Sequence, residues 1–295
     1  MANDDSAETT WQLVALTIAR DAEEMASALL FEAGTNGVIT LEESDDTVKL
    51  GAYFDAAADA EAIARDIEAA FARAGIRSAL ASVAISTIAD QDWMQKWKEG
   101  FAAINIGERL MIAPSWKLPE SSERLVIQID PGMAFGTGTH ETTRMCLELL
   151  EVYWRGGRLL DVGTGTGILA IAASKLAHGS AIVAIDIDPL AVEVARENIE
   201  INQAADAITI REGEPANYRH SAFDVVVANL TAEVIIALMA DLADCMATPG
   251  RMILSGILTT LAADVERALE GVGLRLVERR RAGEWTAIAA ARGEA

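Results

Sequence analysis

Residues 158–189 read RLLDVGTGTGILAIAASKLAHGSAIVAIDIDP, and this stretch decides the fold. The apolar run Arg158–Val162 is short enough for a buried strand, and Ile168–Ala177 is long and small-residue-rich enough for a helix. Ala181–Ile187 is a second apolar strand. Between the first strand and the helix lie Gly163, Gly165 and Gly167, which let the chain turn tightly and bring bare backbone against a ligand. A strand, a glycine turn, a helix and a second strand make a β-α-β unit, so the two strands are expected to be parallel.

Alternation continues outward from that unit. Helices are expected over Leu190–Asn202, Thr231–Met246 and Thr259–Glu270, and strands over Ala207–Arg211, Phe223–Ala228 and Arg251–Ile257. Leu274–Arg280 and Trp285–Ala291 follow as strands with no helix between them, which requires a hairpin. Upstream, Leu110–Ala113 and Leu125–Ile129 read as strands leading into the loop 130–140, and a helix is expected from Glu141 to Tyr153. Strands apolar on both faces imply a parallel sheet covered on both sides. The antiparallel ending separates a methyltransferase sheet from an ordinary dinucleotide-binding one.

The first 89 residues read as β-α-β-β-α-β, the order of a small ferredoxin-like α+β domain. They hold 5 Lys/Arg against 16 Asp/Glu, although the chain of 295 residues has a net charge of −21 overall. Acidity is therefore concentrated at the N-terminal end, which repels phosphate backbones and favours basic partners, or serves solubility alone. Residues 90–106 are expected as a linker helix carrying Trp93 and Trp97, and 107–295 as the catalytic domain. No apolar run is long enough to span a bilayer, and the polar, acidic first ten residues resemble no targeting signal. Cys146 and Cys245 show no metal-like or redox spacing. A cytoplasmic protein without direct nucleic-acid or membrane contacts is expected.

Four positions are candidates for chemistry beside Gly163 and Gly165. Asp186 ends the second strand, where an acid accepts both hydroxyls of a ribose; Asp188, before Pro189, is accounted for by helix capping. Asn229 ends the fourth strand, where its carboxamide faces the same crevice and either meets an incoming amine or caps the next helix. The loop 131–140 has no P-loop lysine, so triphosphate hydrolysis is not expected; it reads as a flap, with Thr137 in it and Thr143 in the helix that follows. His140 is expected to cap that helix. Ile168 stands where a dinucleotide G-x-G-x-x-G has its third glycine, and an acid two residues before Gly163 suits a methyltransferase better than a dehydrogenase. A nicotinamide dehydrogenase, a methyltransferase of another protein or small molecule, and a non-enzymatic cofactor-binding module are the alternatives.

The chain resembles the PrmA family of methyltransferases of the large-subunit ribosomal protein numbered eleven. The likeness is carried by Trp93 and Trp97, Gly107–Leu110, Ala113–Trp116, the loop Asp130–His140, Asp161–Ile171, Ile185–Pro189, Val225–Asn229, Leu254–Ile257 and Glu284–Trp285. The resemblance implies S-adenosylmethionine as cofactor, with contacts at Thr143, Gly163, Asp186 and Asn229. It also implies transfer to lysine ε-amino and N-terminal α-amino groups of that basic protein, recognised by the N-terminal domain. Glu141 stands where the family usually has proline, and Thr231 where a small apolar residue is common.

Overall fold

The computed structural model describes residues 11–35, 37–44, 46–55, 60–73, 76, 78–84, 103–130 and 140–293. The chain divides into two compact units, residues 1–101 and 102–295. The expected helix around Trp93 and Trp97 and the expected flap 131–139 lie outside the described residues.

In the first unit, strand β1 (Trp11–Ala19) is followed by a short 3-10 turn and helix α1 (Glu23–Glu32). Then come β2 (Gly37–Glu43), β3 (Thr47–Asp55), helix α2 (Ala60–Arg73) and β4 (Ser78–Ala84). The sheet order is β2-β3-β1-β4 with every pair antiparallel, which is the ferredoxin-like arrangement. Val14, Leu16 and Ile18 alternate along β1 and are buried, with Leu16 facing Leu50 and Ile18 facing Val48 on β3. Leu30 from α1 and Ile67 and Phe71 from α2 close that core, each worth about 1.5–3 kcal/mol on full burial. Gly34 ends α1 at φ +85°, and the Thr35 amide donates to the Leu30 carbonyl, closing a Schellman cap.

The second unit opens with a three-stranded sheet of β5 (Ile104–Ile106), β6 (Leu110–Ala113) and β7 (Leu125–Gln128). From the sequence, residues 104–106 are expected in the linker helix. They are a strand instead, because Ile104 and Ile106 pair with Ile112 and Leu110 and bury Ile106 completely. Helix α3 (Glu141–Tyr153) leads into the main sheet. There β8 (Arg158–Val162), α4 (Ile168–Leu176), β9 (Ala181–Asp186), α5 (Pro189–Ile201) and β10 (Ile208–Glu212) alternate. After them come β11 (Phe223–Asn229), α6 (Ala232–Cys245), β12 (Met246–Leu258), α7 (Ala262–Gly271), β13 (Arg275–Ala282) and β14 (Trp285–Arg292).

The seven strands lie in the order β10-β9-β8-β11-β12-β14-β13. The first five are mutually parallel, and β14 is antiparallel to both β12 and β13, so the expected hairpin closes the sheet. One apolar face, with Leu159, Val227 and Ile253, packs against α3 and α4; the other, with Leu160, Val226 and Leu254, packs against α6 and α7. β12 starts five residues earlier than expected, since Met246 pairs with Phe223 of β11 and both are buried. The expected helical start at Thr259 is a 3-10 turn. The Thr259 amide donates to the Glu284 carbonyl and its hydroxyl meets that of Thr286, holding the segment against the hairpin. Because β8 is followed by β9 on one side and β11 lies on the other, the strand order reverses between β8 and β11. Ligands bind at the carboxyl ends of the strands flanking such a reversal.

Candidate active site

The loop after β8 is pinned to β9. The amides of Gly163 and Thr164 donate to the Ile185 carbonyl at 2.9 and 3.0 Å, and the Gly165 amide donates to Asp186 Oδ2 at 2.9 Å. Gly163 sits at φ +67°, and a Cβ there would come within 2.5 Å of the Leu230 side chain. Gly167, at φ +81°, forms the N-cap of α4 and packs against Ala195 of α5. Backbone conformation and close approach both demand glycine at these two places.

Asp186 stands at the end of β9 as expected and is half-buried. Its Oδ2 accepts from Gly165 and its Oδ1 from the Asp188 amide at 3.1 Å. A carboxylate has about four lone-pair positions, so two remain for a pair of hydroxyls. Asp188 caps α5 by accepting from the Leu190 amide at 2.9 Å. His140 caps α3: its Nδ1 lies 2.7 Å from the Thr142 hydroxyl, and its ring meets Trp285 edge-on at 5.2 Å.

Asn229 ends β11 and does not cap α6, whose N-cap is Thr231. Its Nδ2 donates to the hydroxyl of Thr143, in the first turn of α3, at 3.2 Å. That bond fixes which way the carboxamide points. Asn229 Oδ1 is consequently the free end, buried and without a hydrogen-bond partner. The structure thus brings Thr143 and Asn229 into contact, and brings Gly165 and Asp186 into contact. Thr137 lies outside the described residues.

Side-chain alternation explains why the polar groups gather there. Leu159 and Asp161 on β8, Val227 and Asn229 on β11, and Ile253 and Ser255 on β12 share the face covered by α3 and α4. Toward the carboxyl ends this apolar face turns polar. Asp161 and Ser255 are wholly buried, and Asp161 Oδ1 and Ser255 Oγ lack hydrogen-bond partners beyond a weak contact of Ser255 with the Cys146 thiol. A buried polar atom left unsatisfied costs about 1–3 kcal/mol, so such a group at a strand end points to a ligand.

Asp161 also braces the glycine loop. Its Oδ2 accepts from the Thr164 hydroxyl at 2.6 Å and from the Ala170 amide at 3.1 Å. Burial pushes its carboxyl up to about 7; the bonds from Thr164 and Ala170 oppose that rise, and the charge of Asp186 adds to it. The sequence shows Asp161 as an acid two residues before a glycine and Ser255 inside the matching stretch Leu254–Ile257, but gives neither a role. Register across β8, β11 and β12 reveals both.

Comparison with known proteins agrees with this geometry. A ribosomal protein L11 methyltransferase from Chloroflexus aurantiacus is 37% identical over 95% of this chain and 97% of its own. One from Geobacter sulfurreducens is 40% identical over 94% and 97%. A solved structure of ribosomal protein L11 methylase from Lactobacillus delbrueckii subsp. bulgaricus is 31% identical, with a TM-score of 0.59, and matches all of that chain and 66% of this one. The family model described as "Ribosomal protein L11 methyltransferase (PrmA)" matches residues 10–293, and the chain belongs to that family.

Proposed function

We infer that this protein methylates ribosomal protein L11, using S-adenosylmethionine, at lysine ε-amino and N-terminal α-amino groups. The observation that carries the reading is the oriented Asn229 carboxamide, whose unpartnered Oδ1 lies at a strand end neighbouring the glycine loop strand. When bound, S-adenosylmethionine supplies a methyl group already activated by a sulfonium. The residues present suit it. Gly163 and Gly165 offer backbone without side chains, Asp186 has acceptor capacity left for the ribose hydroxyls, and the Thr143 hydroxyl retains its proton to donate toward the methionine end.

Transfer to an amine then needs alignment and a neutral nitrogen more than covalent catalysis by the protein. The attacking atom has to sit about 3–3.5 Å from the methyl, in line with the bond that breaks. A lysine with a reference pKa of about 10.4 must shed a proton first. Removal from water beside a cationic sulfonium disfavours the ammonium form. Asn229 Oδ1 accepts an N–H of the neutral amine and so turns its lone pair toward the methyl. Thr137 belongs to the same proposal as a loop group closing over the amine. No general base is required, and His140 serves as a helix cap.

The N-terminal unit serves as the recognition module in this reading, residues 1–89 carrying it, with the connection to the catalytic unit ending before β5 at Ile104. Its 16 acidic against 5 basic residues suit a basic ribosomal protein and disfavour direct nucleic-acid contact. No helix among the described residues is long and apolar enough to cross a membrane. A cytoplasmic location follows from the ribosomal substrate and accords with two buried, free cysteines. Incubation with unmethylated ribosomal protein L11 and methyl-labelled cofactor, followed by site-resolved mass spectrometry, tests the proposal. Label on lysine and N-terminal amines is expected; a folded, cofactor-binding sample that adds none would refute it.

A further inference from the structure

Ser255 is the group at this site that the reading above leaves unused. It is wholly buried, its hydroxyl has no hydrogen-bond partner beyond a weak contact with the Cys146 thiol, and it is the register neighbour of Asn229 across the β11–β12 pair. The Ser255 carbonyl accepts from the Leu230 amide at 3.0 Å, tying the two strand ends together. The Cys146 thiol of α3 lies within hydrogen-bond reach of the Ser255 hydroxyl; burial keeps that thiol neutral, so the contact is weak and the Ser255 oxygen keeps its capacity to accept.

A second observation falls on the same residue. β12 pairs with β14 through Leu254 opposite Ile288, then resumes with Ile257 opposite Thr286, leaving one extra residue in β12. The bulge therefore lies at Ser255 and Gly256, where Gly256 takes φ +82° and a Cβ would stand 2.4 Å from the Leu230 carbonyl. Bulges beside active sites re-aim a side chain or end a pairing. Here the bulge keeps Ser255 on the Asn229 face, while Ile257 returns to the opposite face with Leu254.

We propose that Ser255 is a second amine-binding residue, its buried hydroxyl accepting the N–H that Asn229 leaves over on an unmethylated acceptor nitrogen. The proposal rests on the reading of Asn229 given above. A neutral primary amine has two N–H groups and one lone pair. With one N–H on Asn229 Oδ1 and the other on Ser255 Oγ, the lone pair has a single direction left. It forms the N–C bond as the C–S bond breaks and that electron pair passes to sulfur. The proton lost before attack goes to solvent, as does the one the product ammonium sheds before a further transfer. A monomethylated amine has one N–H and needs only Asn229, so Ser255 sets the rate of the first methyl transfer and not of the second.

The test compares Ser255→Val with Ser255→Thr, nearly equal in volume and differing in the hydroxyl. Single-turnover rates are read by mass spectrometry on unmethylated and on monomethylated ribosomal protein L11, and affinity for S-adenosylhomocysteine by calorimetry. One lost hydrogen bond corresponds to roughly a tenfold slowing. Ser255→Val is expected to slow the first transfer about tenfold, with the second transfer and cofactor affinity unchanged, and Ser255→Thr to restore the first step. Equal slowing of both steps, equal loss in both variants, or a matching fall in cofactor affinity would overturn it, because a merely structural role predicts those results. Asn229→Ala is measured alongside. If it turns over the unmethylated protein at the wild-type rate, the reading of Asn229 has failed, and that outcome is distinct from failure at Ser255 alone.

Discussion

Replacing Asp161 by Asn should flatten the pH dependence of stability in the catalytic unit. The carboxyl is wholly buried, one oxygen has no partner, and its pKa rises from 3.8 to about 7, chiefly through burial. An acid whose pKa is higher folded than unfolded binds more protons in the folded state. Its contribution to stability is intact below 3.8 and drains away as pH climbs toward 7. With one pKa unit worth about 1.36 kcal/mol, the wild-type protein should lose on the order of 2–3 kcal/mol between about pH 5 and 7.5 from this residue alone. A carboxamide of the same shape keeps an acceptor for Thr164 and Ala170 and carries no charge to bury. Urea unfolding of both proteins across that range, followed by tryptophan fluorescence, to which buried Trp154 contributes, measures the difference. The gap between them should widen in favour of Asp161→Asn as pH rises. Parallel curves would refute the claim that burial in the fold raises the Asp161 pKa.

Asp186→Ala should weaken S-adenosylhomocysteine binding about 10- to 100-fold by calorimetry, the range expected for hydrogen bonds to a charged group. Gly163→Ala, at φ +67° and against Leu230, should cost about 1–3 kcal/mol in chemical denaturation and weaken cofactor binding with it. His140→Phe should lower stability by about 1 kcal/mol through the lost cap while leaving turnover at saturating substrate near wild type. Abolished turnover with intact cofactor affinity would instead make His140 part of the chemistry.

Local pattern made most of the parallel sheet legible. The hairpin of β13 and β14 followed from two strands without an intervening helix, and Asp186 and Asn229 from their places at strand ends. What stayed hidden depends on pairing between distant segments. Ile104–Ile106 is too short to read as a strand until Leu110 and Ile112 lie opposite. Residues 246–250 contain a Thr-Pro-Gly turn signal that masks a strand extension set by Phe223 across the ladder. Asp161 and Ser255 lie in recognisable stretches, but their roles do not show there, since burial and an unpaired oxygen exist only after three strands are in register. The split of labour within Asn229 depends in the same way on Thr143, 86 positions away.

The strand order carries a consequence for biogenesis. β14 is synthesised after β13 yet sits between β12 and β13, so β13 cannot join the sheet and one side of β12 stays unpaired until residues beyond Trp285 have left the ribosome. The Trp285 ring against His140 and the Glu284 carbonyl on the Thr259 amide form at the same late moment. A nascent chain stalled before Trp285 would present β12 as a raw edge, and the catalytic sheet closes only once residues 285–292 have emerged.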